Sequence, residues 1–297
     1  MRARFFLAVI ILTLAGAGRA LPALELYVSP NGNDAWSGTL PTPGKEGQDG
    51  PFASLLRARD EVRRLKATGK LAEGATVNLR AGTYRLGAAL TLGPEDAGTP
   101  QAPRVWRAYE NEKVILSGAL PVSGFKPWKG QIVVAELKGT PLEKVAFRQV
   151  FFRGERQVMA RYPNLDPQDP HFGQWAYVLA TDPAPATNRS VSDNIPQAKD
   201  HFTATGDVIK PTWEKITQAE VAIHPAYGWA WNILPLQSVD KETDTVWLGR
   251  PASYGLMIGD RYFVQNLLAE LDAPGEWYLD RDEAKLYFWP PADLTTG

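Results

Sequence analysis

Apolar and polar positions follow a helical period in one stretch of this chain and a period of two almost everywhere else. Leu55, Ala58, Val62 and Leu65 recur at helical spacing, with Arg57, Arg59, Arg63, Arg64 and Lys66 on the opposite side. That pattern predicts an amphipathic helix whose apolar stripe faces a core and whose basic face is solvated. Ser54 is placed to cap its start and Gly69 to stop it. Before it, Glu25 to Ser29 alternates like a strand and runs into Pro30, Asn31, Gly32, Asn33 and Asp34, opening a loop over 30–51 rich in Gly, Pro, Asn and Asp. After it, Val77 and Leu79 alternate, the chain turns at Ala81-Gly82-Thr83, and the pattern resumes at Tyr84. Further short strands are expected in 88–93, 104–109, 113–118 and 131–137, each bounded by Gly, Pro or charged residues. Their spacing is irregular and no strict repeat emerges. One amphipathic helix ahead of many short strands predicts a β solenoid with a capped end, because an open end exposes apolar surface and unpaired backbone that such a helix can cover.

Near residue 140 the texture changes. Residues 145–163 read as an antiparallel hairpin turning at Arg153-Gly154-Glu155, and 236–249 and 276–291 read as two more, with charged turns between alternating apolar strands. Residues 163–215, rich in Pro, Asp, Asn and Thr, read as a long loop region. The expected organisation is a leader over 1–20, a solenoid-like region over 21–140 and antiparallel β structure over 141–297.

The leader changes the picture most. Arg2 and Arg4 precede an apolar run from Phe5 to Leu14, and small residues end near Ala20, the plan of a secretory signal. The run is too short to span a bilayer. Export to the periplasm or the medium is therefore expected, with no membrane anchor in the mature chain. Cysteine is absent, so an exported chain must rest on its core rather than on disulfides. Asn188-Arg189-Ser190 fits the glycosylation pattern but matters only in a eukaryotic secretory pathway. The 297 residues suffice for one large or two ordinary domains, and a net charge of −1 offers no basic field for nucleic acid. Ten Trp, ten Tyr and eleven Phe are many for this length. They either build a β core or make flat platforms for pyranose rings.

Candidate chemistry is sparse. His171, His201 and His224 are scattered, so no zinc site is expected, and no phosphate-binding or nucleophile-elbow motif occurs. No cofactor or metal is expected. The turn Asn31–Asp34 has the oxygen-rich composition of a calcium loop, but no EF-hand or nonapeptide repeat is present and an Asx turn explains the same residues. Asp34, Glu95, Asp96, Asp272 and Glu276 stand in turn contexts where carboxylates commonly cap backbone, and composition alone pairs none of them for catalysis. The most suggestive stretch is 221–232. His224 ends an apolar run, and Tyr227, Trp229 and Trp231 follow around Gly228. If the strand continues, the two tryptophans share one face. They then either fill a core or stack on a sugar while His224 bonds a hydroxyl. Arg161, after a hairpin strand, forms either a structural ion pair or a substrate contact.

Five blocks taken in order, "YVSPNGNDAWSG", "PFASLLRARDEVRRL", "VNLRAGTYRLGAALTLGPEDAGT", "RVWRAYENEKVILSGA" and "EWYLDRDEAKLYFWPP", resemble the N-terminal region of secreted right-handed parallel β-helix proteins. Among these the chain is similar to bacterial β-helix glycoside hydrolases with a pectate-lyase-like fold. The resemblance runs from about Leu26 to Pro291 and includes Trp277, Tyr278, Leu279, Asp280, Leu286, Tyr287, Trp289 and Pro290 of a hairpin pattern. It implies a mostly β fold: the start of a right-handed parallel β-helix with a capping helix, plus an inserted antiparallel subdomain. It also implies a polysaccharide or oligosaccharide partner, a His-plus-Trp segment near the substrate, and catalytic carboxylates on a β-helix body expected beyond Gly297. A non-catalytic glycan-binding module and a polysaccharide lyase are the alternatives.

Overall fold

The computed structural model describes residues 23–169, 171, 173–181, 198–205, 208–210 and 212–294. The leader and the Asn188-Arg189-Ser190 pattern lie outside them. The chain divides into two compact units, Met1–Leu120 and Pro121–Gly297.

The first unit contains β1 (Leu24–Val28), α1 (Leu55–Ala67), β2 (Ala75–Leu79), β3 (Gly82–Arg85), β4 (Arg104–Ala108) and β5 (Val114–Ser117). β1, β2 and β4 form a parallel sheet with Leu26, Val77 and Trp106 in register, and β3 and β5 form a second parallel pair. From β2 onward the chain visits the two sheets alternately, one strand further along at each visit. The expected apolar positions Leu26, Val28, Val77, Leu79 and Tyr84 share a core with Phe52 and the α1 stripe Leu55, Ala58 and Val62.

The turn after β1 is fixed by its own side chains. Asn33 Oδ1 accepts the Ala35 amide at 2.9 Å, an Asx turn. Asp34 accepts the amides of Ala53 and Ser54, each at 2.8 Å, and the Ser54 hydroxyl at 2.7 Å. Ser54 Oγ in turn accepts the Arg57 amide at 3.1 Å, as an N-cap does. Gly32 is required here, because a Cβ would stand 2.2 Å from the Phe52 carbonyl oxygen.

The basic face of α1 is tied down rather than merely solvated. Arg57 and Arg64 pair with Glu61 at 3.0 and 2.5 Å, and Arg63 pairs with Asp96 at 2.6 Å and Glu95 at 3.0 Å. Lys66 donates to the carbonyls of Glu95 and Ala97. This corrects the strand expected over 88–93. The segment is irregular, because Arg59 and Arg63 serve the Thr91 carbonyl where a neighbouring strand would.

The second unit starts at Pro121 rather than near residue 140, because the strand in 131–137 pairs with the last hairpin. Its strands are β6 (Lys126–Lys129), β7 (Ile132–Glu136), β8 (Phe151–Phe152), β9 (Glu155–Arg156), β10 (Val158–Met159), β11 (Arg161–Tyr162), β12 (Ala176–Tyr177), β13 (His201–Thr203), β14 (Glu220–Ile223), β15 (Asn232–Asp240), β16 (Thr245–Leu248), β17 (Arg261–Gln265), β18 (Glu276–Asp280) and β19 (Lys285–Phe288). A five-stranded sheet has the order β10-β18-β19-β7-β6. A seven-stranded sheet has the order β11-β17-β14-β15-β16-β13, with β12 also on β17. The hairpins expected over 236–249 and 276–291 form as β15–β16 and β18–β19; of the one expected over 145–163 only the tip pairs, as β8–β9, because β10 and β11 pair instead with β18 and β17. Within 163–215, read as loop, β12 and β13 form short strands. In the last hairpin Trp277, Tyr278, Leu279, Leu286, Tyr287 and Phe288 are all buried, so both faces of that ribbon are covered. Ala160 links the two sheets: its amide donates to the Trp277 carbonyl at 2.7 Å and its carbonyl accepts the Asn266 amide at 2.9 Å. This places Arg161 at the edge of β17.

Candidate functional site

β14 ends at Ile223 and β15 begins at Asn232, so residues 224–231 form the connection between two adjacent antiparallel strands. Trp229 and Trp231 therefore do not alternate along a strand, which corrects that expectation. Ala226 (φ 56) and Gly228 (φ 76) take left-handed backbone and reverse the chain before the strand pattern can continue. A non-glycine residue in that region is strained and persists only when its surroundings hold it. Here Asp260 does so. Its carboxylate Oδ2 accepts the Ala226 amide at 3.0 Å and the Met257 amide at 2.8 Å, and its side chain is buried. One acceptor thus pins two connections side by side.

The turn sends its aromatic rings to two places. Tyr227 and Trp229 lie outward, 53% and 67% exposed, nearly parallel with centroids 6.2 Å apart. Tyr254 closes against both, edge-on, at 6.1 and 5.1 Å. Its position is fixed from the neighbouring residue: Asn232 Oδ1 accepts the Ser253 amide at 2.7 Å, and Asn232 Nδ2 donates to Ser253 Oγ at 3.0 Å. These three rings form an outward platform on restrained backbone.

Trp231 turns the other way. It packs on His224 at 4.5 Å, on Phe263 at 5.8 Å and edge-on against Trp175 at 6.1 Å, while 43% of it remains exposed. His224 Nδ1 donates to the Ala230 carbonyl at 2.8 Å, which leaves Nε2 as the acceptor of a neutral ring. Burial holds the imidazole below its usual pKa, so the ring is neutral at pH 7. Arg161 is buried, its guanidinium 3.5 Å from the Phe263 centroid and 5.5 Å from that of Trp175. It donates to the carbonyls of Pro163 at 2.7 Å and Gln174 at 2.9 Å. Among the described residues it makes neither the ion pair nor the open contact that its position suggested. Arg161 is a positioning residue that holds the aromatic cluster and the 163–174 backbone together. Arg261 stacks on Trp175 at 4.9 Å and donates to the His171 carbonyl at 3.0 Å.

Of the five candidates, the structure brings Tyr227 and Trp229 to the platform, and His224, Trp231 and Arg161 to the cluster beside it. Sequence reasoning missed Tyr254, Trp175, Phe263 and Asp260. They come from other elements, and only the turn composition of Gly259-Asp260 gave a local signal.

The carboxylates of the turns are engaged. Asp34 and Asp96 hold backbone and Arg63, as described above. Asp272 accepts from Asn164 Nδ2 at 2.9 Å, and Glu276 accepts the amides of Asp272 and Ala273 at 3.1 and 3.2 Å. Burial pushes the Glu276 carboxyl up to about 7 against those two bonds, and at 3% exposure it has no access to a substrate. A small depression lined by Leu137, Leu142, Val145, Leu279 and Ala284, with Glu143, Lys144, Asp280 and Arg281 also on its wall, shares no residue with the aromatic rings. Among the described residues no group of three His, Cys, Asp or Glu could hold a metal ion, and no helix is long and apolar enough to cross a membrane.

No family model matches the chain. It is 39% identical over 93 residues to the uncharacterized protein YwoF of Bacillus subtilis, which covers 31% of this chain and 15% of that protein. It is 35% identical over 99 residues to pectate lyase PEL9 of Emericella nidulans, covering 33% of this chain and 20% of that protein. Among solved structures it is similar to one described as a glycoside hydrolase, with a TM-score of 0.69 and 25% identity over 90% of this chain and 43% of that one. The chain thus spans less than half the length of each.

Proposed function

We propose that this chain is the N-terminal part of an exported carbohydrate-active protein with a right-handed parallel β-helix fold, and that it contributes glycan contacts to a glycoside hydrolase. The observation that carries the reading is the platform Tyr227–Trp229–Tyr254. Two exposed rings, Tyr227 and Trp229, braced by the half-buried Tyr254 on restrained backbone, match the C–H faces of sugars and lose little freedom when they bind. Three further observations support it. The glycoside hydrolase structure aligns over 90% of the chain. The first unit alternates between two parallel sheets, as successive coils of a β-helix do. Residues 1–20 read as a signal, from which we expect the exported protein to begin near Leu21.

In this reading the acid and base of hydrolysis lie outside these residues, since the turn carboxylates named above are committed to backbone and arginine. Purified chain should bind polysaccharide, and binding should weaken in Trp229→Ala and Tyr254→Ala variants that remain folded. Undiminished binding by the folded double variant refutes the glycan-contact role. Turnover of aryl-glycosides that is abolished by substituting one of this chain's own carboxylates refutes the placement of the catalytic pair. A polysaccharide lyase is the second reading, favoured by the pectate lyase relative. It expects calcium dependence and an unsaturated product absorbing in the ultraviolet, and reducing-end release without that absorbance excludes it.

A further inference from the structure

We infer that the platform selects uncharged sugar chains over polyuronates. The inference rests on the reading that these rings hold glycan and adds the class of sugar. The first ground is what the platform offers. Tyr227, Trp229 and Tyr254 present ring faces and two phenol hydroxyls, which match the C–H faces and hydroxyls of neutral pyranoses. Among the described residues no cation stacks on any of the three rings, whereas other rings of the unit do carry one: Phe152 has Arg153, Tyr162 has Lys210, and Phe263 and Trp175 have Arg161.

The second ground is where the nearby cations are used. Arg161 and Arg261 stack on the rings of the inner cluster and donate to the carbonyls of Pro163, Gln174 and His171. Arg250, close to Tyr254 in sequence, donates to the Ile233 carbonyl at 2.8 Å. Recognition of a uronate calls for a guanidinium fork or an ammonium facing the carboxylate. Among the described residues these three arginines each donate to main-chain carbonyls.

The test is retention of purified full-length chain on xylan, mixed-linkage β-glucan, galactomannan and polygalacturonate, the last with and without calcium. Trp229→Ala and Tyr254→Ala run in parallel after circular dichroism confirms their fold. Expected is retention by at least one neutral polysaccharide, at least about tenfold weaker retention by polygalacturonate, and loss of the neutral binding in both variants. Polygalacturonate binding as strong as neutral binding, and lost in the variants, overturns the selectivity while leaving the glycan platform standing. Retention by none of the four, or equal retention by wild type and folded variants, overturns the platform itself.

Discussion

Replacing Asp260 by alanine removes the acceptor shared by the amides of Ala226 and Met257. Both residues are buried, so water cannot replace the lost partner without opening the turn. An orphaned buried donor costs about 1–3 kcal/mol, and the two together give a loss of about 2–6 kcal/mol for Asp260→Ala. The upper end is reached if Ala226 stays in its left-handed conformation. The lower end applies if the turn relaxes, and then Tyr227 and Trp229 lose their fixed positions. Asp260→Asn keeps a carbonyl oxygen in place and gives up only charge assistance, for about 1 kcal/mol. Urea unfolding followed by tryptophan fluorescence reads both variants. With a slope of about 2 kcal/mol per molar, the alanine variant should lose about 1–3 M in midpoint and the asparagine variant about 0.5 M. Retention on polysaccharide should fall in the alanine variant under conditions where circular dichroism shows it folded. If Asp260→Ala unfolds within about 0.5 kcal/mol of wild type, or matches Asp260→Asn, the carboxylate does not hold the two connections. The account of a pinned platform then fails.

Three other outcomes follow from the same geometry. Asp34→Ala deprives Ala53, Ser54 and the Ser54 hydroxyl of their acceptor and should lower stability by about 1–2 kcal/mol, as loss of a helix cap does, measurable as a fall in Tm. Glu276 has a folded pKa of about 7, above its ordinary 4.5. Its contribution is complete below pH 4.5 and drains away as pH rises through 7, by about 3 kcal/mol in all. Glu276→Gln should therefore flatten the stability-versus-pH curve over that window, and an unchanged slope there would contradict the burial argument. Trp277→Ala empties a site that is fully buried and stacked on Phe147 at 5.7 Å. A loss of about 3–5 kcal/mol is expected from chemical denaturation.

How much of this was legible depended on the range of the forces involved. α1 was readable residue by residue, since Leu55, Ala58, Val62 and the Ser54 cap are local signals. The hairpins β15–β16 and β18–β19 were readable because period-two alternation and charged turns are local too. The segment 88–93 was misread because its apolar residues looked like a strand, while its carbonyls are served by Arg59 and Arg63 from a helix distant in sequence. The start of the second unit was placed too late because pairing of Ile132–Glu136 with Lys285–Phe288 joins residues about 150 apart in sequence. At the site, His224, Tyr227, Trp229 and Trp231 could be nominated from one run. That run could not show that Gly228 divides the rings between two clusters, nor that Tyr254, Trp175, Phe263 and Asp260 complete them.

The two aromatic-rich runs of the second unit illustrate how position decides the fate of one residue type. In "WYLD" and "LYF" every ring lies on a paired strand and is buried, and removing one should cost core stability. In "YGWAW" the rings lie on a connection, and Trp229 is the most exposed large apolar side chain among the described residues of the unit. A connection shaped for stability alone takes Asn, Gly or Asp at such positions and leaves no large apolar ring in water. This one carries the exposed outward pair Tyr227 and Trp229, a left-handed alanine and a buried carboxylate beneath it. None of these adds to the unit's cores, and the first two oppose folding. In the function proposed above, a sugar covering Tyr227 and Trp229 accounts for them together: it would remove the exposed apolar surface, and it would bind more tightly because Asp260 and Asn232 have already ordered the backbone that presents those rings.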